Sequence, residues 1–301
     1  MWLLFIALSA LASVDTSGFL CNKDNSCGSR GFITEHSTGP SKSDSIKINP
    51  AAVPVEEVTG IESIIYNGSY DVGLVKGLGR VGAAISPSNS DETFFGPPAA
   101  EYPTDFYDRM ITRSKLNSGK YTAAAAVSLL SKSGSGLRNL HLQLGVMGRY
   151  ESFSHHVKPG VGLQGIAGPL YAGASYLQDE DRLDEITWLN TVLQTWSVGL
   201  SLDSVNLDYS VVDVTGDFVA RATVITAAVF VDRFILTLAR RTTSSEQKSF
   251  YDYSTHVLTP VTSQSDYFGG VQIKATSFLI VGLFYNYYLL HETSLGATLF
   301  F

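Results

Sequence analysis

Cysteine is nearly missing from this chain: only Cys21 and Cys27 occur among 301 residues. Charge is scarce as well. Asp, Glu, Lys and Arg together make up 16%, against about a quarter in an ordinary soluble domain. There is no block of Lys or Arg, and the net charge is −7, so the basic footprint of a nucleic-acid-binding protein is excluded. Long apolar runs are also lacking. The uncharged stretches Ile186–Leu202 and Ala275–Leu290 fall short of the roughly 18 apolar residues of a membrane helix, and both carry Asn, Ser or Thr inside. What is present is 45% hydrophobic residues, 16 Phe, 15 Tyr and 27 Gly, with a mean hydropathy of +0.11. That composition excludes disorder and implies a surface that is partly non-aqueous or unusually bland.

The first 12 residues, MWLLFIALSALA, form a short apolar segment ending in small-x-small, the pattern that signal peptidase reads. No Lys or Arg precedes it. The expectation is a signal peptide over residues 1–12, cleaved without lipidation, since Phe19-Leu20 stand before Cys21. In an oxidising compartment Cys21 and Cys27 are expected to close a disulfide, and their spacing does not suit a metal site.

Strict alternation takes the place of helical hydrophobicity. From residue 139 to 151, Asn139, His141, Gln143, Gly145, Met147, Arg149 and Glu151 alternate with Leu140, Leu142, Leu144, Val146, Gly148 and Tyr150. Segments 195–202, 204–211 and 271–276 repeat the pattern. A period of 2 held over about 13 residues suits a tilted strand crossing a bilayer better than a globular strand of about 5 to 6. Turn residues such as Asn67-Gly68, Gly168-Pro169 and Thr215-Gly216-Asp217 mark short hairpins. The expected fold class is therefore all-β: a transmembrane antiparallel barrel of about 12–14 strands over residues 58–301, preceded by an N-terminal segment over 13–57. Strands are also expected at 105–114 and 250–258, among others.

The chain ends LGATLFF. Counting back from Phe301 by twos gives Leu299, Ala297 and Leu295, an apolar face ending in an aromatic residue. It resembles the C-terminal signal of bacterial outer-membrane barrels, and that resemblance implies the barrel-assembly machinery, outer-membrane lipids and lipopolysaccharide as partners.

Residues 44–52, DSIKINPAA, follow a Gly/Ser-rich stretch and precede the first strand. Asn49, Pro50 and Ala51 resemble the Asn-Pro-Ala segment of the FadL-type transporters of long-chain fatty acids and hydrocarbons. The resemblance implies a barrel with an N-terminal hatch in its lumen and a wall opening through which hydrophobic substrates leave sideways. The chain is short for that superfamily. Its best candidate for a capture loop is Pro87–Thr104, with Phe94, Phe95 and Tyr102.

No catalytic or cofactor motif is found, so a non-enzymatic protein without cofactor or metal is expected. His155-His156 and the acidic cluster Asp179, Glu180, Asp181, Asp184 and Glu185 read as solvated loops. The residues expected to face a polar lumen are His141, Gln143, Arg149, Glu151, Asn206, Asp208, Gln272 and Lys274. From Ser277 to Tyr288 both faces are apolar, with Phe278, Ile280 and Phe284 sharing one of them. The function expected is passive passage of hydrophobic small molecules across the outer membrane. A structural or surface-interaction barrel and a general porin for small polar solutes are the alternatives.

Overall fold

The computed structural model describes residues 48–66, 69–88, 119–132, 140–152, 154–182, 188–202, 204–216, 219–246, 264–286 and 293–301. The expectations for residues 1–12, for most of 13–57 with Cys21 and Cys27, for Phe94, Phe95 and Tyr102, and for strands at 105–114 and 250–258 lie outside them.

Among the described residues, fourteen antiparallel strands form one closed barrel. In chain order they are β1 (Val58–Tyr66), β2 (Ser69–Gly77), β3 (Val81–Ser88), β4 (Lys120–Lys132), β5 (Leu140–Glu151), β6 (Val157–Ala167), β7 (Leu170–Arg182), β8 (Trp188–Ser201), β9 (Val205–Gly216), β10 (Val219–Val231), β11 (Phe234–Glu246), β12 (Gln264–Lys274), β13 (Leu279–Asn286) and β14 (Thr293–Phe300). Each strand pairs with its chain neighbours, and β14 closes on β1 from Gly60↔Phe300 to Tyr66↔Ser294. Closure removes every free sheet edge, which a bilayer demands because lipid offers no hydrogen-bonding partners.

One end of the barrel carries tight connections, such as Gly168-Pro169 and Asp232-Arg233. Asp232 takes a φ of 53° there, a left-handed conformation that a short polar side chain tolerates. The other end carries the longer connections, above all 89–119 and 247–263. These are called the turn end and the loop end.

The alternation read in the sequence becomes two faces. Outside stand Leu74, Ile85, Leu144, Val146, Val161, Trp196, Leu207, Ile225, Leu236 and Leu283, all exposed. Exposed aromatics mark both rims, with Tyr121, Tyr267 and Tyr285 towards the loop end and Phe234, Phe278 and Phe301 at the turn end. An apolar belt flanked by aromatic girdles is what a barrel surrounded by lipid requires. One shift interrupts the regularity: β4 bulges between Ser128 and Leu130 against β5.

Inside, large rings lie over glycines. A Cβ on Gly199 would come within 2.0 Å of Tyr171 Cζ, and one on Gly270 within 2.1 Å of Phe284 Cδ1. The inner faces of β2–β5 and β7–β10 contribute an apolar cluster that includes Val75, Ala84, Ala126, Met147, Leu177 and Val212. Smaller inner clusters are centred on Ala228, Ile235, Ile280 and Phe300, and on Val224 with Ala239. The apolar face expected for Phe278, Ile280 and Phe284 is corrected here. Ile280 and Phe284 point inward and are buried, but Phe278 lies in the turn before β13 and is exposed.

Candidate functional site

The site is the lumen, and its first component is the stretch from Ile48 to Val55, every residue of which is buried. Asn49 starts a single 3-10 turn, Pro50–Ala52. Its Oδ1 accepts the Ala51 N–H at 3.0 Å, and its Nδ2 donates to the Leu163 carbonyl of β6 at 3.3 Å. Proline follows without penalty, because the first N–H of such a turn has no partner in any case.

The wall makes room for this backbone with small residues. A Cβ on Gly162 would lie 1.8 Å from Asn49 Oδ1, and one on Gly145 2.2 Å from the Ala51 nitrogen. Farther along, a Cβ on Gly82 would meet the Pro54 carbonyl oxygen at 2.1 Å and one on Gly77 that of Glu56 at 1.6 Å. Val53 and Val55 pack in the apolar cluster with Ala84, Ala124 and Ala126, which explains the small inward residues of β4. Gly79, in the β2–β3 turn, donates its N–H to the Val55 carbonyl at 2.7 Å. The segment thus runs along the inner wall from β6 to β2 before it becomes β1.

Above it, towards the loop end, buried charges converge. Asp179 of β7 pairs with Arg149 of β5, and with Lys120 of β4 at 3.5 Å; Arg149 also reaches Thr122 Oγ1 at 3.4 Å. Glu151 is buried at the same end. At the rim, on the alternate face of β7, a second group joins Glu180 to Lys158 and to exposed His156, each at 2.9 Å, and Lys158 to Asn190 Oδ1 at 2.7 Å. Asp179 and Glu180 are therefore not the solvated turn expected of the acidic cluster, because strands distant in sequence bring cations to them.

Towards the turn end the lining is polar. Tyr171 donates to Asp208 Oδ2 at 2.9 Å, and Ser210 donates to the other oxygen. Asn206, Gln272, Lys274, Gln143 and Gln164 are buried in this half. His141 sits near its rim, with Nδ1 at 3.2 Å from Ser131 Oγ. The eight residues expected in the lumen accordingly fall into two groups with the apolar cluster between them: Arg149 and Glu151 on one side, the remaining six on the other. Lys120, Asp179 and Tyr171 carry no mark in the sequence of a place in the lumen. On β14, Leu295, Ala297 and Leu299 alternate with inward Phe300; Leu295 and Ala297 are exposed, as is Phe301 just beyond the strand, and Phe301 donates its N–H to the Thr59 carbonyl at 2.9 Å.

A closed antiparallel barrel with an apolar outer belt and a lined interior has the architecture of a membrane-spanning β-barrel. No family model matches the chain, and no curated protein is similar to it. Among solved structures it is similar to Omp33, an outer membrane protein of Acinetobacter baumannii, at 7% identity and a TM-score of 0.43, covering 81% of this chain and 96% of that one. It is similar to Salmonella typhi OmpF in complex with daunomycin at 7% identity and a TM-score of 0.41, covering 81% and 96%. Vibrio cholerae OmpT, another outer membrane protein, gives 8% identity and a TM-score of 0.40, covering 81% and 97%. Overlaps this loose bear on nothing beyond the general shape, and the reading below rests on the barrel's own geometry.

Proposed function

We propose that the protein is an outer-membrane barrel through which hydrophobic small molecules, such as fatty acids or hydrocarbons, pass passively, with the N-terminal segment acting as a luminal plug. The observation that carries this reading is a gap in the hydrogen-bond ladder of the wall. The β2–β3 ladder pairs Asp71 with Ser88 and resumes at Leu74 with Ile85, so that Val72 and Gly73, paired with Ser63 and Glu62 of β1, are not laddered to Pro87 and Ser86 of β3. Pro87 has no N–H to donate across to Val72, and a proline inside a sheet interrupts its ladder in this way. Gly73 and Ser86 are small inward residues beside the gap, and the apolar cluster with Val75 and Ala84 adjoins it.

Two further observations support the reading. Inner residues are also buried on β9 and β10, such as Asn206 and Ala222 at 0% exposure, which favours a filled lumen over an open channel. The Asn49 turn is fixed to the wall by its hydrogen bonds and its glycine seat.

The test combines location, uptake and conductance. The protein should fractionate with outer membranes, and a deletion strain should take up hydrophobic compounds more slowly. The intact protein should be nearly silent in planar bilayers, and removal of residues 13–57 should open a steady conductance. Steady channels from the intact protein, with uptake unchanged, would replace this reading with a porin for small polar solutes. That reading is favoured by the polar lining of Asn206, Asp208, Gln272 and Lys274.

A further inference from the structure

The outer face of β11 carries Phe234, Leu236 and Leu238 in a row rising from the turn end, and Leu238 is 70% exposed. The next residue on that face is Arg240, also exposed. Its Nη2 donates to Ser265 Oγ at 3.1 Å, and that hydroxyl lies 3.3 Å from Thr242 Oγ1. Tyr267 is its direct cross-strand partner and stands exposed beside it. Among the residues whose side chains are described, no carboxylate pairs with Arg240. The neighbouring outward arginine, Arg221, differs in this respect, because Asp213 meets its charge.

Depth makes the difference consequential. Six residues up a strand tilted by about 40° place Arg240 roughly 16 Å above Phe234, in the upper part of an apolar belt about 25 Å tall. A cation facing lipid is costliest at the midplane and cheap at the interface. A long arginine side chain escapes by extending its head towards the interface while its stem stays on apolar surface. The anion it meets there is the phosphate of a lipid, which a guanidinium holds through two parallel hydrogen bonds. The hydroxyls of Ser265, Thr242 and Tyr267 add donors around the same point.

We propose that Arg240, Thr242, Ser265 and Tyr267 form a binding site for a lipid phosphate, that an acyl chain of the lipid lies along Leu238, Leu236 and Phe234, and that the lipid is lipopolysaccharide. Naming lipopolysaccharide rests on the outer-membrane reading, with the longer loops outside; the phosphate site itself rests on the outward arginine and its surroundings.

The test titrates the full-length, detergent-solubilised protein with bis-phosphorylated lipid A, dephosphorylated lipid A and phosphatidylglycerol, with binding read by native mass spectrometry. Heat-modifiable gel migration reports whether each variant is folded. Bis-phosphorylated lipid A should bind. Dephosphorylated lipid A on the wild type, and bis-phosphorylated lipid A on Arg240→Gln, should each be weaker by about tenfold, the size of one charge-assisted contact. Arg221→Gln should change binding by less than about twofold, because that charge is already paired. Should Arg240→Gln not fold, Arg240→Lys takes its place and should bind more weakly than the wild type, since it keeps the charge and loses the fork. Binding unchanged in the Arg240 variant, or indifferent to phosphate, would overturn the site. Equal binding of phosphatidylglycerol would overturn the choice of lipopolysaccharide. A barrel that fractionates elsewhere yet binds lipid A through Arg240 would lose its proposed location and keep the site.

Discussion

Gly162 and Asn49 lie so close that no other residue fits between wall and segment: a Cβ on Gly162 would stand 1.8 Å from Asn49 Oδ1 and 2.9 Å from Pro50 Cδ. The Asn49 hydrogen bond to the Leu163 carbonyl depends on that approach. Gly162→Ala should lift the 3-10 turn from its seat at a cost of about 1–3 kcal/mol, typical of an overpacked interior. Gly165→Ala, three residues along the same strand, meets its nearest atom at 3.9 Å and should change little. Urea unfolding of the two variants in one detergent gives the comparison. Equal midpoints would show that the glycine seat is not what holds Asn49. If the segment is part of a plug, Gly162→Ala should also raise the conductance of the intact barrel.

The outer face makes a depth-dependent prediction. Leu144 stands mid-strand, 40% exposed on the outer face, between Val127 and Leu163. Val157 is exposed at the loop-end start of β6. Leu144→Arg should destabilise the barrel by about 2–4 kcal/mol and Val157→Arg by about 0–1 kcal/mol, as expected for mid-bilayer and interfacial positions. Folding equilibria in lipid vesicles measure both. The reverse order would mean that the belt is misplaced along the strands.

Much of the barrel is legible in the sequence because one face of each strand meets lipid and the other meets the lumen, so a period of 2 is written into β5, β8, β9 and β12. The Asn49-Pro50 turn is legible as well, since its side-chain cap and fixed φ are local. The luminal ion pairs are not. Asp179 lies in an acidic run that reads as solvated, and only the topology brings Lys120 and Arg149 to it from β4 and β5. The seat of the N-terminal segment is hidden for a similar reason. Gly77, Gly82, Gly145 and Gly162 carry no common spacing, and their purpose becomes visible only when the segment lies across them. Phe278 reads as an inner residue because the run 277–288 is apolar throughout, which leaves no contrast to locate the strand start at Leu279.

Two ion pairs of similar chemistry should differ because of burial. The side chains of Asp179 and Arg149 are about 10% and 12% exposed, whereas those of Arg221 and Asp213 are 64% and 27% exposed. Asp179→Asn removes the carboxylate shared by two buried cations and should cost about 3 kcal/mol, the scale of a broken buried pair. Asp213→Asn should cost about 0.5 kcal/mol. Double-mutant cycles with Arg149→Met and Arg221→Met separate the coupling from the substitution itself. Similar coupling energies for the two pairs would contradict the assigned burial of Asp179.

The wall gap yields the prediction closest to function. Pro87 breaks the β2–β3 ladder at one place: Leu74↔Ile85 and Val75↔Ala84 are paired on one side and Asp71↔Ser88 on the other. Its remaining neighbour, Tyr121 of β4, pairs normally, so the defect belongs to the β2 side alone. Pro87→Thr supplies the missing N–H, in a residue suited to strands. The restored donor should reach Val72 and close the ladder, with a gain of about 0.5–1.5 kcal/mol for the added hydrogen bond. Stability would rise while the lumen, the seat of the N-terminal segment and the outer belt stay as they are. If hydrophobic molecules leave through the wall at this break in the ladder, cells carrying Pro87→Thr should take them up more slowly than the wild type although the barrel assembles in equal amount. Slowed hydrogen exchange at Val72 and at the newly introduced amide of the Pro87→Thr variant would report that the ladder has closed. Closure with undiminished uptake would move the exit route elsewhere and remove the main support for lateral passage.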